Sequence, residues 1–291
     1  MRVNAPSTLL DFLMEKVDSS SKTNIKKMIK LGKVMVDGLP SLRPDDMLKR
    51  GQEVEISRRS HVTMALKRRA QVQEFKPLYE DKFLVAYAKP GGMLSIGTKQ
   101  TRGQDLFGIV RVQHNTRTDA ERCDLFWVHG LDKDVSGLMI FAKNEETKEN
   151  LRRQWDKNVR RYTVLTESTP RPESGIINTP IEGRRPQREG EKPYFTKFKV
   201  LKAFRYGTLV EATAENEQKY QVRFHMASLQ TPIVGDTIRG AKSNPLGRIA
   251  IHFGHLELQH PVTKEPLILT APIPREFLSL AKFGKESKAL K

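Results

Sequence analysis

The sequence predicts an α+β protein, with a small α+β module at the N-terminus and a larger domain built on a mainly antiparallel, mixed sheet. Residues 1–57 contain two helix-like segments followed by short strand-like segments. Residues 75–276 contain mostly alternating apolar segments and few helices, a pattern typical of antiparallel pairing. A chain of 291 residues is long enough for both units.

In the N-terminal module, residues 8–16 and 22–31 have apolar side chains at helical spacing. Serines at 19–21 offer an N-cap for the second helix, and Gly32 ends it. The segment KVMVDGLP alternates as a strand does, and its Asp37-Gly38 pair predicts a hairpin turn. GQEVEI is the predicted closing strand.

The larger domain is predicted to begin with the strand FLVAYA, which stops at Pro90. Residues 138–142 form a run of five apolar residues between turn signals and predict a buried strand. A helix is expected at residues 145–159, and further strands at FTKFKVLKAF, RYGTLVEATA and RIAIHFGHLEL. Residues 58–74 are interpreted as a basic linker, and residues 277–291 as a frayed basic tail.

Charge is the strongest compositional signal. The formal net charge is +17 and the isoelectric point about 9.9, which favours a polyanionic partner, nucleic acid above all. An anionic membrane is the competing partner, but no basic amphipathic helix with a large apolar face stands out. The single cysteine, Cys123, excludes an intramolecular disulfide, and the N-terminus lacks a long apolar segment, so we expect a cytoplasmic protein.

Asp132 is the leading candidate for a reactive residue. It lies in a short polar turn just before the predicted buried strand, where a rigid element can hold a loop side chain in place. The alternative is that Asp132 and Asp134 only cap a turn. This stretch alone favours the alternative.

The surrounding motifs change that balance. VHGLDKDVSG resembles the HRLDxxTSG signature of the RluA family of RNA pseudouridine synthases, and the matching residues are His129, Leu131, Asp132, Ser136 and Gly137. The Lys-Pro pair after FLVAYA resembles the first motif of that family, at Lys89 and Pro90. RRYTVL resembles its tyrosine motif at Tyr162, and YQVRFHMASLQTPIVGD resembles its HQIRVH…PIxGD motif, with matches at Gln221, Arg223, His225, Pro232, Ile233, Gly235 and Asp236.

The resemblance implies a catalytic set of Asp132, Tyr162 and Arg223. Asp132 would be the nucleophile or would assist elimination, Tyr162 would stack on an extruded uracil, and Arg223 would be the ion-pair partner of Asp132. Lys89, Pro90, His129, Gly137, Gln221 and His225 would support them. Without the motif, Tyr162 would be a packed strand residue and Arg223 an ordinary surface arginine.

The N-terminal order of elements resembles the small RNA-binding domain of the ribosomal protein S-four type. Lysines of its second helix would contact phosphates, as would basic residues of the linker: Lys22, Lys26, Lys27, Lys30, Arg58, Arg59, Lys67, Arg68 and Arg69. A solvated helix face is the alternative for the helix lysines. The expected partner is RNA, with ribosomal RNA favoured over tRNA. We also expect the protein to be a monomer that needs no cofactor.

Two departures from the family pattern stand out. Gly130 replaces an arginine that, in the family, enters the RNA stack and keeps the target nucleotide extruded; Trp127 and Arg122 are candidates to compensate. EQKY at residues 217–220 replaces a GRTH-type stretch. These departures leave a catalytically impaired RNA-binding protein as the main alternative, and a hydrolase or lyase using Asp132 as a third.

Histidines 252, 255 and 260 suggest a metal site at first sight. In a regular strand His252 and His255 would point to opposite faces, so we expect no metal.

Overall fold

The structure is a computed structural model that describes residues 1–17, 20–41, 43–57, 74–97, 105–117, 124–181, 194–215 and 218–284. The chain divides into two compact units. The first comprises Met1–Glu74, Thr101–Gln104 and Gly108–Arg122, and the second comprises Phe75–Gln100, Asp105–Phe107 and Cys123–Lys291. The predicted linker residues Arg58, Arg59, Lys67, Arg68 and Arg69 lie outside the described residues, as does Arg122.

The first unit contains the predicted helix pair and hairpin. Its elements are β1 (Ser7–Thr8), α1 (Leu9–Lys16), α2 (Lys22–Lys30), β2 (Val34–Val36), β3 (Leu39–Pro40), β4 (Met47–Leu48) and β5 (Val54–Ile56). The Thr8 and Ser21 side chains cap the two helices. Asp37 (φ 50°) and Gly38 (φ 70°) form the predicted turn between β2 and β3, and β5 pairs with β2 on its other side.

Helix α2 presents two different faces. Ile25 and Ile29 are fully buried in the core of the first unit. The four lysines of the helix are all exposed on the other side: Lys22, Lys26, Lys27 and Lys30. The predicted division of this helix into an apolar and a basic face is therefore confirmed.

The second unit is organised around one mixed, mainly antiparallel sheet. Its strands are β6 (Tyr79–Glu80), β7 (Leu84–Lys89), β8 (Phe126–Trp127), β9 (Ser136–Ala142), β10 (Val159–Thr166), β11 (Ser174–Ile177), β12 (Phe195–Phe204), β13 (Gly207–Glu215), β14 (Ile251–Gln259) and β15 (Pro266–Thr270). The order is β11-β12-β13-β10-β14-β9-β7-β6, with β15 paired to β14 and β8 to β9. Strand β9 is buried at every position, as its apolar run predicts.

The parallel contact between β9 and β14 positions the reactive loop. Gly137 (φ 128°) lies opposite Phe253, and a Cβ on it would come within 2.2 Å of the Phe253 carbonyl oxygen. Only glycine combines this conformation with so close a backbone approach. The Ser-Gly step at Ser136–Gly137 therefore lets β9 start against β14 immediately after the Asp132 turn.

The remaining helices are α3 (Leu106–Arg117), α4 (Glu145–Arg153), α5 (Gln221–Ser228) and α6 (Arg275–Phe283), with short 3-10 turns at Trp155–Lys157 and Thr237–Arg239. The prediction of one helix over residues 145–159 is wrong at its C-terminal end. The α-helix stops at Arg153, and Val159 begins β10 because it pairs with Glu257 of β14.

The predicted tail is also partly wrong. Residues 277–283 belong to α6, which buries Phe277, Leu280 and Ala281. Leu280 and Ala281 follow Phe277 at helical spacing, and together they cover one end of the sheet at β13. Among the described residues, no helix has the length and apolar character needed to cross a membrane.

Candidate active site

A cavity of about 240 Å³ opens in the second unit between the Asp132 loop, the strands β10 and β14, and the start of α5. Its lining brings together all three predicted catalytic residues. The lining residues are His129, Gly130, Leu131, Asp132, Val135, Trp155, Arg160, Tyr162, Gln218, Lys219, Tyr220, Gln221, Val222, Arg223, Ile251 and Phe253.

Asp132 begins a tight turn at the rim of this cavity. The Val135 amide donates to the Asp132 carbonyl (3.1 Å), and β9 starts one residue later. The Asp132 side chain is exposed. Asp132 lines the cavity, and within the described part of the chain its carboxylate accepts no hydrogen bond.

Three side chains hold the backbone on either side of Asp132. The sequence indicates only one of them, Lys89. Ser95 Oγ donates to the Leu131 carbonyl (2.6 Å) and accepts from the Leu131 amide (2.8 Å). Lys89 Nζ donates to the carbonyl of Lys133 (3.1 Å). Arg248 Nη1 donates to the carbonyl of Asp134 (3.1 Å). These contacts fix the loop without engaging the Asp132 carboxylate.

Lys89 is itself buried, with 1% of its surface exposed. Besides Lys133, its ammonium donates to the carbonyls of Pro90 (3.0 Å) and Met93 (2.7 Å), so all three N–H donors have acceptors. Burial lowers the pKa of Lys89 to about 7, Arg248 adds to this effect, and the charges of Asp134 and Asp132 oppose it. Lys89 therefore anchors the Asp132 loop.

Aromatic rings form the inner wall of the cavity. Tyr162, on β10, stacks on Phe253 of β14, with ring centroids 5.0 Å apart. His129 stacks on Trp155 at 4.3 Å, and its Nε2 accepts a hydrogen bond from the Ile140 amide. Burial, with a smaller contribution from the Arg160 charge, lowers the pKa of His129 to about 3, which keeps the imidazole neutral. A flat apolar wall of this kind suits a planar base.

Arg223 occupies the opposite wall, at the start of α5. We expected it to pair with Asp132, but its guanidinium instead donates two hydrogen bonds to Asp236, from Nε and Nη2, both at 2.8 Å. Asp236 is only 1% exposed, and a buried carboxylate requires such a partner. The predicted ion pair is therefore wrong in its partner.

Asp132 still acts on Arg223 through its charge. Burial opposes the charged guanidinium, but the hydrogen bonds to Asp236, that carboxylate's charge and the charge of Asp132 together raise the pKa of Arg223. Arg223 thus stays cationic across the cavity from Asp132. Asp236 matches the family's PIxGD motif, yet only the structure reveals that it positions Arg223.

Tyr220 lies at the entrance, in the left-handed conformation (φ 68°) that is uncommon for a residue with a side chain. Three cations approach its ring: Lys219 Nζ at 4.7 Å, the Arg223 guanidinium at 5.0 Å and that of Arg239 at 5.6 Å. The divergent EQKY segment therefore places a cation-rich aromatic group directly at the cavity.

Gln221 and His225 hold α5 in place through hydrogen bonds to β12. Gln221 Nε2 donates to the Phe195 carbonyl (2.9 Å) and to Thr196 Oγ1 (3.2 Å). His225 Nδ1 lies 2.7 Å from Thr196 Oγ1. Both side chains therefore fix the helix to β12, and burial lowers the pKa of His225.

The prediction that His252 and His255 point to opposite faces of their strand is wrong. His252 pairs with Thr163 and His255 with Arg161, because a bulge shifts the register between β10 and β14. The two histidines therefore share a face. They have separate partners: His252 contacts Ser136 and Ala271, and His255 contacts Glu257 and Arg161. Within the described ranges, no cluster of three His, Cys, Asp or Glu residues has a metal-binding arrangement.

Comparisons with known proteins show the family of this chain. A family model described as RNA pseudouridylate synthase matches residues 83–228, half of the chain. An uncharacterized RNA pseudouridine synthase of Bacillus subtilis is 31% identical over 219 residues, covering 72% of this chain and 72% of the relative. The chain belongs to the RNA pseudouridine synthase family.

A relative named ribosomal large subunit pseudouridine synthase D, from Xanthomonas campestris, is 28% identical to this synthase over 301 residues, 95% of this chain and 88% of the relative. The structure titled human RNA pseudouridylate synthase domain containing 4 has a TM-score of 0.57 at 22% identity, covering 75% of this chain and 94% of that one. This likeness shows the shared fold. The synthase is accordingly an isomerase that acts on RNA.

Proposed function

We propose that this synthase converts uridine to pseudouridine in structured RNA, with ribosomal RNA favoured as the substrate and Asp132 as the catalytic nucleophile. In this reaction the bond from the sugar carbon C1′ to N1 breaks, C1′ joins C5, the C5 proton leaves and N1 gains a proton. The isomerisation is therefore balanced without a cofactor. Asp132 would attack the sugar or the base, or would assist elimination to a glycal.

The proposal rests mainly on the placement of the Asp132 carboxylate. Asp132 lines a cavity with an aromatic wall, on a loop whose backbone is fixed by Lys89, Ser95 and Arg248. A nucleophile gains most from such positioning when its own reactive atoms stay unengaged. Tyr162 would stack on the extruded uracil, and Arg223 would supply positive charge opposite Asp132.

Ribosomal RNA is favoured for two reasons. Relatives that span nearly the whole chain carry the names ribosomal large subunit pseudouridine synthase D and C. The element order of the N-terminal unit also resembles that of the S-four type RNA-binding domain, and the basic face of α2 is exposed. We propose that its lysines contact phosphates, that the basic linker does the same, and that the protein acts as a cytoplasmic monomer.

The side chain of Trp127 lies beside Gly130, where the family has an arginine. A Cβ on Gly130 would lie 3.5 Å from Cζ2 of Trp127, an ordinary contact distance. Trp127 is 37% exposed, and the guanidinium of Arg152 lies 5.3 Å from its ring centroid. We propose that the Trp127 indole packs against the RNA at the place where the family has an arginine, and so helps keep the uridine extruded.

The test compares wild type with Asp132→Ala on unmodified ribosomal RNA and on tRNA, with pseudouridine mapped chemically at single-nucleotide resolution. We expect pseudouridine at defined ribosomal sites that depends on Asp132. Modification confined to tRNA would overturn the substrate assignment. Tight RNA binding without modification in either pool would favour the catalytically impaired alternative, with Gly130 as its explanation.

A further inference from the structure

Strand β12 carries a line of exposed lysines, none of which lines the catalytic cavity. Alternation along the strand puts Phe195, Lys197 and Lys199 on one face. A regular strand would turn Lys202 to the opposite face. However, the register with β13 shifts between Val200 and Lys202.

This register shift places Lys202 on the same face as Lys197 and Lys199. Lys199 pairs with Glu211 and Lys202 pairs with Leu209, which are two residues apart on β13 and so share a face. All three lysines are exposed. We call Lys197, Lys199 and Lys202 the β12 lysine strip.

Two rings on the same face hold the ends of the strip. Lys197 Nζ lies 5.3 Å from the Phe195 ring centroid, and Lys202 Nζ lies 5.4 Å from that of Phe204. Such cation–π contacts restrict otherwise mobile lysine side chains. The entropy lost when these lysines bind a ligand is therefore smaller than for freely moving lysines.

The strip has an excess of positive charge. Lys197 lies between Ile176 of β11 and Thr213 of β13, which are uncharged. Lys199 lies between Ser174 and the carboxylate of Glu211. Glu215 lies opposite Phe195 on the same face, so the three lysines share this face of the ladder with two acidic positions, Glu211 and Glu215.

The strip starts beside the cavity and leads away from it. The Phe195 carbonyl accepts the hydrogen bond from Gln221, which precedes Arg223 by two residues on α5. From there β12 extends over ten residues, about 30 Å at the usual rise of a strand. The strip faces the side of the sheet opposite Tyr162, so RNA that reaches both must pass around the edge strand β11.

We propose that the β12 lysine strip binds phosphates of the RNA segment that flanks the modified uridine. Lys197 and Lys199 are about 6.6–6.8 Å apart along the strand, and a line of evenly spaced cations suits a polymer with a charge on every unit. Such contacts would supply affinity and orientation but no sequence discrimination. The inference rests on the proposed RNA substrate and adds a surface outside the catalytic cavity.

The test measures RNA binding by the full chain at several salt concentrations. The probe is large-subunit ribosomal RNA transcribed in vitro. The variant is Lys197→Gln, Lys199→Gln and Lys202→Gln combined. The matched control is Lys82→Gln, Lys242→Gln and Lys282→Gln combined, which removes the same charge from three other exposed lysines of the second unit.

We expect the strip variant to raise Kd at least about tenfold and to reduce the salt slope by about 2, because each phosphate contact to a single strand contributes about 0.7. The control should change Kd less than about twofold. Equal effects of both triple variants, or none, would overturn the proposal. Pseudouridine formation by wild type is scored separately, so a failure of the proposed activity is distinguishable from a failure of the strip.

Discussion

The two walls of the cavity are held by different kinds of interaction. The loop wall, residues 129–135, is fixed through its backbone by buried Lys89, Ser95 and Arg248. The helix wall, residues 218–223, is held by charge: Arg223 pairs with buried Asp236, and cations surround the ring of Tyr220.

The two kinds of interaction meet two different requirements of the proposed reaction. A nucleophile needs a fixed position and an unengaged carboxylate, and backbone anchors provide both. Charge that develops during the reaction needs a cation that stays charged and aligned, and a bidentate ion pair provides that. Damage to the loop wall should therefore misplace Asp132, while damage to the helix wall should remove electrostatic stabilisation.

After substitution of Asp132 itself, the largest effect is expected from Arg223→Ala. Turnover should fall at least about 100-fold, the range seen when an electrostatic stabiliser is removed, while RNA affinity changes little. The variant also leaves Asp236 buried without its partner, which costs stability. The double variant Arg223→Ala with Asp236→Asn should regain thermal stability but not turnover. A large loss of binding with normal turnover on bound RNA would contradict the assignment.

Lys89→Met should have the next largest effect. It removes the donor from three carbonyls, including that of Lys133 beside Asp132, and should lower turnover by about 10- to 100-fold, as small misplacements of reacting groups do. Lys143→Met is the matched control, because Lys143 binds Glu80 and the Asp81 carbonyl beyond the far end of β9. Single-turnover rates should separate the two, and equal losses would show that Lys89 has no special link to the loop.

Trp127→Ala tests the proposed contact between the Trp127 indole and the RNA, beside the loop wall. Loss of one stacking contact is worth about 1–3 kcal/mol, so turnover should fall about tenfold. Gly130→Arg is sterically feasible, because a Cβ there meets only ordinary contact distances. It should restore most of the lost rate in the Trp127→Ala background and have a smaller effect in wild type. Simple additivity of the two substitutions would refute compensation.

The prediction with the least effect on turnover is a pH dependence of stability. Buried His129 has a pKa lowered to about 3 and His252 one lowered to about 4, both mainly by burial. Each is neutral in the fold but protonates near pH 6.5 when unfolded, so stability should fall as pH drops below 6.5 and level off near pH 3–4. Each group contributes up to about tenfold per pH unit in the unfolding equilibrium. Urea melts of His129→Gln between pH 7 and 4 should show a weaker dependence.

Local features of the fold were predictable from the sequence. The α2 faces, the Asp37-Gly38 turn and the buried β9 each depend on neighbouring residues, and the structure confirms them. The end of α4 and the whole of α6 were not, because pairing of Val159 with β14 and burial of Phe277 depend on distant residues.

The candidate site was likewise predictable where it depends on local motifs, and not where it depends on contacts between distant residues. Motifs assembled Asp132, Tyr162 and Arg223, and one cavity contains all three. The partner of Arg223 could not be predicted, since Asp236 is thirteen residues away and separated from it by a turn. The anchoring roles of Ser95 and Arg248 depend on contacts across 36 and 114 residues, which leave no local signal. The β14 bulge likewise appears only in the pairing register.

The most direct measurement is the single-turnover rate of Asp132→Asn on the mapped ribosomal RNA site, beside its Kd and melting temperature. Asparagine keeps the shape of the side chain and removes its charge. We predict a rate at least about 10⁴-fold below wild type, on the scale of removing an essential catalytic group, with Kd within about threefold and an unchanged melting temperature. A rate within tenfold of wild type would contradict the central claim that the Asp132 carboxylate performs the chemistry.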